Sequence, residues 1–344
     1  MVSRISSFGQ QQNLLQAIQQ NQRRVFEAQE QISTGKKTDE FRGLAGKVNT
    51  LLGSESFRSR IQTYQRSIDT VVGKLDANDV QLGSIIDTMG RVKDTVATTV
   101  ANDQAEAFDQ MLDQSFRFVT NALNTNFDGT FLFSGTQSGQ APVQNGTLQD
   151  FINRVQARID ADGDGVADDV DGDGTQDVSL QDAIRQEFSN SDEAFSVRVA
   201  DNVDIEFGVL AEDVGLEIFE SFYRLGSGDL DGDGVNDGDP DFPITSGELT
   251  DAQFSFLQGE IGSLESRIDN MRQIQTNNGF IQSQMDTIRE QHRDREVFLD
   301  GFIADIEDVD MAEAISRLQN DQVALQASFQ SISTLSQLTL LNFI

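Results

Sequence analysis

Between Phe57 and Thr99, alternating strides of four and three land on Phe57, Ile61, Tyr64, Ile68, Val71, Leu75, Asn78, Leu82, Ile85, Met89, Val92, Val96 and Thr99. Only Asn78 and Thr99 break the series. A seven-residue repeat sustained over this length specifies a long helix with one narrow apolar stripe. The residues between are mostly Ser, Gln, Asp, Arg, Lys and Thr. Such a helix is not stable alone and must bury its stripe against another long helix.

The partner lies far along the chain. From Leu249 the stride resumes through Leu257, Ile261, Leu264, Ile268 and Met271. The pattern predicts a register slip near Asn277-Asn-Gly279. It then continues at Ile281, Met285 and Ile288, crosses His292 and Arg295, and reaches Leu299, Phe302 and Ile306. The chain between the two helices is therefore an excursion that returns to the same bundle. His292, the sole histidine, falls in an Arg/Glu-rich run and reads as part of a solvated helix face.

Both chain ends carry weaker repeats. At the amino end, Phe8, Leu15, Gln22 and Gln29 share one seven-residue series, and Ile18, Val25 and Ile32 share another. Gly35 suits the end of that helix, with Lys36 and Lys37 beside its negative pole. A bent connector over 36–53, a long helix to about Ala101 and a second helix over roughly 103–125 follow. At the carboxyl end, Asp310 with Glu313 resembles a capping box. The last helix then carries Ile315, Leu318, Leu325, Phe329 and Ile332, and ends in the apolar tip Leu338–Ile344. An exposed apolar terminus marks an interface. The expected assembly residues are Ile18, Val25, Ile32, Ile315, Leu318, Leu325, Phe329 and Ile332.

Composition removes several classes of function. The chain has no Cys, so it has no disulfide, thiolate metal site or thiol catalysis. A net charge of −32 argues against nucleic acid or an anionic membrane surface as partner. No apolar run approaches the roughly 20 residues that span a bilayer. No signal-peptide pattern opens the chain, so it is expected in the cytoplasm or exported without a cleaved signal. No phosphate-binding glycine loop, dinucleotide fingerprint or nucleophile with its base is visible, so no enzyme is expected.

The charge is concentrated. Residues 158–250 hold 26 Asp and Glu against four Arg. All three prolines, Pro142, Pro240 and Pro243, lie between 138 and 250, which leaves the flanks free to be helical. Before this region, Asp128-Gly129 signals a hairpin, and Phe131, Leu132 and Phe133 read as a short strand. Within it, Phe195–Val199 and Val203–Val209 read as strands. The fold expected is mainly α: a long antiparallel bundle or coiled coil built from both chain ends, with an inserted α+β or mainly β acidic outer domain. Its parts are 1–50 plus 303–344, 51–137 plus 251–302, and 138–250.

The acidic region contains a nine-residue pattern three times. Asp160, Asp162, Asp164 and Asp168 are followed by Asp169, Asp171, Asp173 and Asp177, and later by Asp229, Asp231, Asp233 and Asp237. Carboxylates at positions 1, 3, 5 and 9, with glycines for the tight turn, suit the oxygen-rich shell of Ca²⁺. The match to an EF-hand is incomplete. Position 12 is Asp171 in the first copy but Leu180 and Pro240 in the others, closer to thrombospondin type 3 or dockerin-like loops. A solvated acidic loop is the alternative. Calcium is preferred because charges this dense repel unless neutralised.

Two stretches resemble the flagellin superfamily. Ile32-Ser-Thr-Gly-Lys36 resembles its amino-terminal Leu-Ser-Ser/Thr-Gly segment, and Ile306-Glu-Asp-Val-Asp-Met-Ala-Glu313 resembles its Ile-Glu-Asp-Ala-Asp-Tyr-Ala-x-Glu element. Asn124–Thr136 and Ala324–Asn342 are similar to the hook-associated protein 3 branch, which forms the hook–filament junction. Filament flagellins usually carry Arg-Ile-Asn-x-Ala-x-Asp-Asp-x-Ala where this chain reads Lys37-Thr-Asp-Glu-Phe-Arg-Gly-Leu-Ala45. The resemblance covers about 1–137 and 251–344. It implies self-association into a tubular axial assembly, in which the chain ends form an inner coiled coil that orders on docking. Other flagellar axial proteins (hook-associated proteins and flagellin) and an export chaperone are the implied partners. Secretion through the flagellar channel to an extracellular place serving motility is implied too. A filament-forming flagellin, and a calcium-dependent surface adhesin on a coiled-coil stalk, are the alternatives.

Overall fold

The computed structural model describes residues 2–38, 46–160, 178–189, 193–228 and 244–341. Its elements run α1 (Val2–Thr34), α2 (Val48–Asn102), β1 (Gln104–Ala105), α3 (Phe108–Leu123), β2 (Asn126–Phe127) and β3 (Thr130–Phe131). They continue with α4 (Leu148–Ile159), α5 (Leu180–Arg185), β4 (Phe195–Ala200), β5 (Val203–Phe207), α6 (Ala211–Ser227), β6 (Gly247–Glu248), α7 (Asp251–Glu307) and α8 (Met311–Leu341). Helix dominates, as the two sustained repeats require. The described chain divides into two compact units, Met1–Gln62 with His292–Ile344 and Thr63–Gln291.

In the second unit, α2 and α7 lie antiparallel. Asp69, Asp76 and Asp79 meet Arg289, Gln282 and Gln275 in reverse order, at 3.5, 2.5 and 3.0 Å. The stripe of α2 is buried as the repeat demands: Ile68, Val71, Leu75, Leu82, Ile85, Met89, Val92 and Val96 all leave solvent. The expected slip in α7 does not occur. Leu257, Leu264, Met271, Asn278, Met285, His292, Leu299 and Ile306 form one unbroken seven-residue series, buried throughout. Asn278 and His292 hide the continuity because they are polar. His292 is therefore buried rather than on a solvated face. Arg295 and Phe302 are exposed, and Ile303 takes the inward place.

A strap closes the excursion: β1 pairs antiparallel with β6, Gln104 opposite Glu248 and Ala105 opposite Gly247. This pairing delays the next helix to Phe108, after Asp103 and Ala107 turn the chain with positive φ. The helices α3, α4, α5 and α6 then pack together. Their centre is aromatic, with Phe116 5.1 Å from both Phe151 and Phe219 between ring centroids. At Gly215 an added Cβ would stand 2.6 Å from the Phe188 ring, so only glycine lets α6 approach that closely. Glu187 is 1% exposed and is held by Arg154 and Arg158, each at 2.6 Å. This triad ties α4 to the end of α5. The α4 start is a capping box between Thr147 and Asp150, whose hydrogen bonds hold the Asp150 carboxyl below its usual range.

The hairpin at Asp128-Gly129 forms as expected, with both residues at positive φ. Its strand stops at Phe131. Leu132 and Phe133 are buried instead, and the Phe133 carbonyl accepts the Ala211 N–H at 2.8 Å. The strands β4 and β5 form a single hairpin, with Phe195 opposite Phe207. Val199 and Phe207 pack on Ile68, Val71, Leu75 and Met285, so this hairpin covers the α2–α7 seam. The inserted region is thus α+β among the described residues.

Candidate functional site

The first unit brings the two chain ends together. The helices α1 and α8 pack antiparallel, with the Asn21 side-chain amide donating to Ser328 Oγ at 3.3 Å and Arg24 facing Asp321 at 3.8 Å. The start of α8 is capped as the sequence suggests: Asp310 Oδ1 accepts from the Ala312 and Glu313 N–H groups at 2.9 and 3.1 Å. The Glu313 carboxylate lies 3.7 Å from Arg317, one turn on.

The two terminal stretches that carry the family resemblance clasp each other. Lys37 N–H donates to the Glu307 carbonyl at 2.7 Å, and Val309 N–H donates to the Gly35 carbonyl at 2.9 Å. Between these bonds Lys36 and Asp308 form an antiparallel bridge. The Lys37 ammonium donates to the Asp305 and Ile306 carbonyls, capping the end of α7. The Lys36 ammonium sits 3.1 Å from Glu307, and that contact raises its pKa. Gly35 turns out of α1 at φ +73°, a conformation that favours glycine. The motif Gly-Lys-Lys thus acts as a C-cap twice, on its own helix and on α7. Only the first role is legible in the sequence.

The expected assembly residues divide by burial. Ile18 is buried, Val25, Ile32, Leu318, Leu325 and Ile332 are half-buried, and Ile315 and Phe329 are exposed. A two-helix hairpin buries only one stripe on each helix, so apolar groups remain outside. Phe26 is 66%, Val323 65% and Phe329 50% exposed, and Leu15, Met311 and Ile315 join them. Large apolar side chains left outside a two-helix hairpin suit packing against further helices. The end of α7 adds Val297, Phe298 and Phe302, with the last two rings stacked 6.5 Å apart. The apolar tip's side chains lie outside the described residues.

Charge follows the same division. Residues 1–62 and 292–344 carry 12 Lys and Arg against 14 Asp and Glu, whereas 63–291 carry 13 against 43. A nearly neutral unit can pack closely against copies of itself, and a strongly anionic one favours solvent.

Of the twelve expected calcium ligands, Asp160 alone is described, as the residue that ends α4. Asp162, Asp164, Asp168, Asp169, Asp171, Asp173, Asp177, Asp229, Asp231, Asp233 and Asp237 lie outside the described residues. An open groove of about 440 Å³ among Asp113, Leu148, Ile152 and Ile244 pairs no nucleophile with a base. No helix among the described residues is long and apolar enough to cross a membrane.

A helical hairpin made from both chain termini, clasped and left apolar outside, defines a self-associating helical structural protein. The bacterial flagellin N-terminal helical region matches residues 5–138, and the C-terminal helical region matches residues 261–344. The chain belongs to the bacterial flagellin family and is a structural component of the flagellum, the extracellular organ of motility. Among solved structures, it is similar to a protein from Vibrio parahaemolyticus assigned as a flagellar hook-associated protein. Identity there is 15% and the TM-score 0.49, over 78% of this chain and 98% of that one. It is also similar to FlgL of Bacillus cereus, at 11% identity and TM-score 0.48, over 73% and 98%. A comparison with curated proteins finds no match.

Proposed function

We propose that this flagellar subunit sits at the hook–filament junction, joining copies of itself and other axial proteins through its terminal helices. The observation that carries the assembly role is the clasped α1–α8 hairpin with Phe26, Val323 and Phe329 left exposed in a nearly neutral unit. The junction position rests on the Asn124–Thr136 and Ala324–Asn342 segments and on Lys37–Ala45, which departs from the filament pattern. Residues 1–50 with 303–344 form the axial part, 51–137 with 251–302 the bundle around it, and 138–250 the outer part. The terminal helices gain order on docking, where burial of apolar surface offsets their ordering entropy. The subunit leaves the cell through the flagellar channel, with an export chaperone as escort. It works as a scaffold rather than a catalyst.

Phe329→Asp tests the assembly role. The site is exposed, so the variant should fold with unchanged helix content and fail to incorporate into axial structures. Normal incorporation would remove the proposal. A filament-forming flagellin is the second reading, because it shares the fold and the terminal motifs.

The outer part binds Ca²⁺ through its three Asp repeats, a reading supported by the sequence pattern alone. Calorimetry should show Ca²⁺ uptake at or below millimolar concentration, lost when Asp164, Asp173 and Asp233 become Asn. No heat of binding would leave a solvated acidic loop.

A further inference from the structure

The seam between α2 and α7 has a regularity that is itself a hazard. Ile68, Leu75, Leu82, Met89 and Val96 repeat every seven residues on one helix, and Leu257, Leu264, Met271 and Met285 occupy such a series on the other, with Asn278 between the last two. Sliding one helix by seven residues would set apolar against apolar again. Asn78, 1% exposed, and Asn278, 2% exposed, break this degeneracy within the run of repeats. They occupy the same level of the seam. The Asn278 side-chain amide donates to the Leu75 carbonyl at 3.0 Å, one turn before Asn78. Polar bridges flank that level on both sides, Gln275 to Asp79 at 3.0 Å and Gln282 to Asp76 at 2.5 Å.

We propose that Asn78 and Asn278 act together as a polar key that fixes the register of α2 against α7. In the native register the amide of Asn278 finds a carbonyl beside another amide. After a slide of seven it would meet the carbonyl of Ile68 or Leu82 instead. One turn on from those stand Val71 and Ile85, which are β-branched and offer no polar group. Asn78 would likewise face the level of Met271 or Met285. Asn278 would keep a backbone acceptor but lose its polar neighbour, and the Asn78 amide would be buried against hydrocarbon, which is costly. A single buried Asn is known to set register in coiled coils at some expense in stability.

The expense is visible. The Oδ1 atoms of both residues are buried with no hydrogen-bond partner among the described residues. The key also explains why an apolar-only reading of α7 sees a slip at Asn277-Asn-Gly279, where the helix continues unbroken.

The absence of cysteine makes the full chain suitable for cross-linking. Asp76→Cys with Gln282→Cys reports the native register. Asp76→Cys with Gln275→Cys or with Arg289→Cys reports a slide of seven either way. That slide moves a partner by about 10 Å, beyond the reach of roughly 7 Å for a disulfide. In the parent chain only the native pair should oxidise. In a background of Asn78→Leu with Asn278→Leu, a slid pair should oxidise to at least a tenth of the native yield, with the thermal midpoint raised. Each single Leu substitution should lower the midpoint, because it sets the remaining buried amide against a leucine in place of its polar neighbour. Two results would overturn the proposal: no slid cross-link in the double variant, or single-variant effects that simply add.

Discussion

At the scale of the residue, the polar groups inside the protein do the most specific work. Glu187 is the clearest case, a buried carboxylate between two arginines that ties α4 to α5. Its partners are themselves partly exposed, at 29% and 22% of their side chains, so they can regain water if the carboxylate is lost. Glu187→Ala should therefore cost about 3 kcal/mol, the lower end for breaking a buried pair, as read from urea unfolding. A cost below about 1 kcal/mol would show that the triad is only a surface pair in effect. Residues like these are the least legible in the sequence. Asn278 and His292 fill seam positions, yet a search for apolar periodicity passes over both. The signal is spacing: each stands seven residues from a buried neighbour, Met271, Met285 or Leu299. Lys37 reads as a charge beside its own helix, and nothing local indicates that its ammonium reaches the carbonyls ending α7.

At the scale of the element, strong periodicity is readable and junctions are not. The stripe of α2 is legible in the sequence because eleven of its thirteen positions are apolar, and the structure buries or half-buries all thirteen. The two-residue strands β1 and β6 leave no pattern, since their pairing joins residues over a hundred positions apart. The turn from α7 into α8 is readable through its cap. Asp310 accepts from two backbone N–H groups at the start of α8, so Asp310→Ala should cost about 1 kcal/mol. The loss should be local. Hydrogen exchange should speed up in the first turn of α8 and leave α3 and α6 unchanged. Uniform acceleration across the chain would mean that the α7–α8 junction is coupled to the whole fold.

At the scale of the whole molecule, the sequence separates two tasks by charge and by apolar surface. The termini are nearly neutral and keep Phe26, Val323 and Phe329 outside, and the residues between carry most of the −32 net charge. Composition announces that division, and the paired terminal motifs give it a meaning. What the sequence leaves hidden is that those motifs touch, Gly35 to Val309 and Lys37 to Glu307, so both ends are clasped as one unit. The role of the protein turns on how that unit assembles. The most direct measurement is electron microscopy of the purified full-length chain added to isolated hook structures, with calcium present. The expected result is a short cap of subunits at the hook end and no growth beyond it. Long, regular filaments growing from the hooks would contradict the junction role and identify a filament-forming flagellin instead.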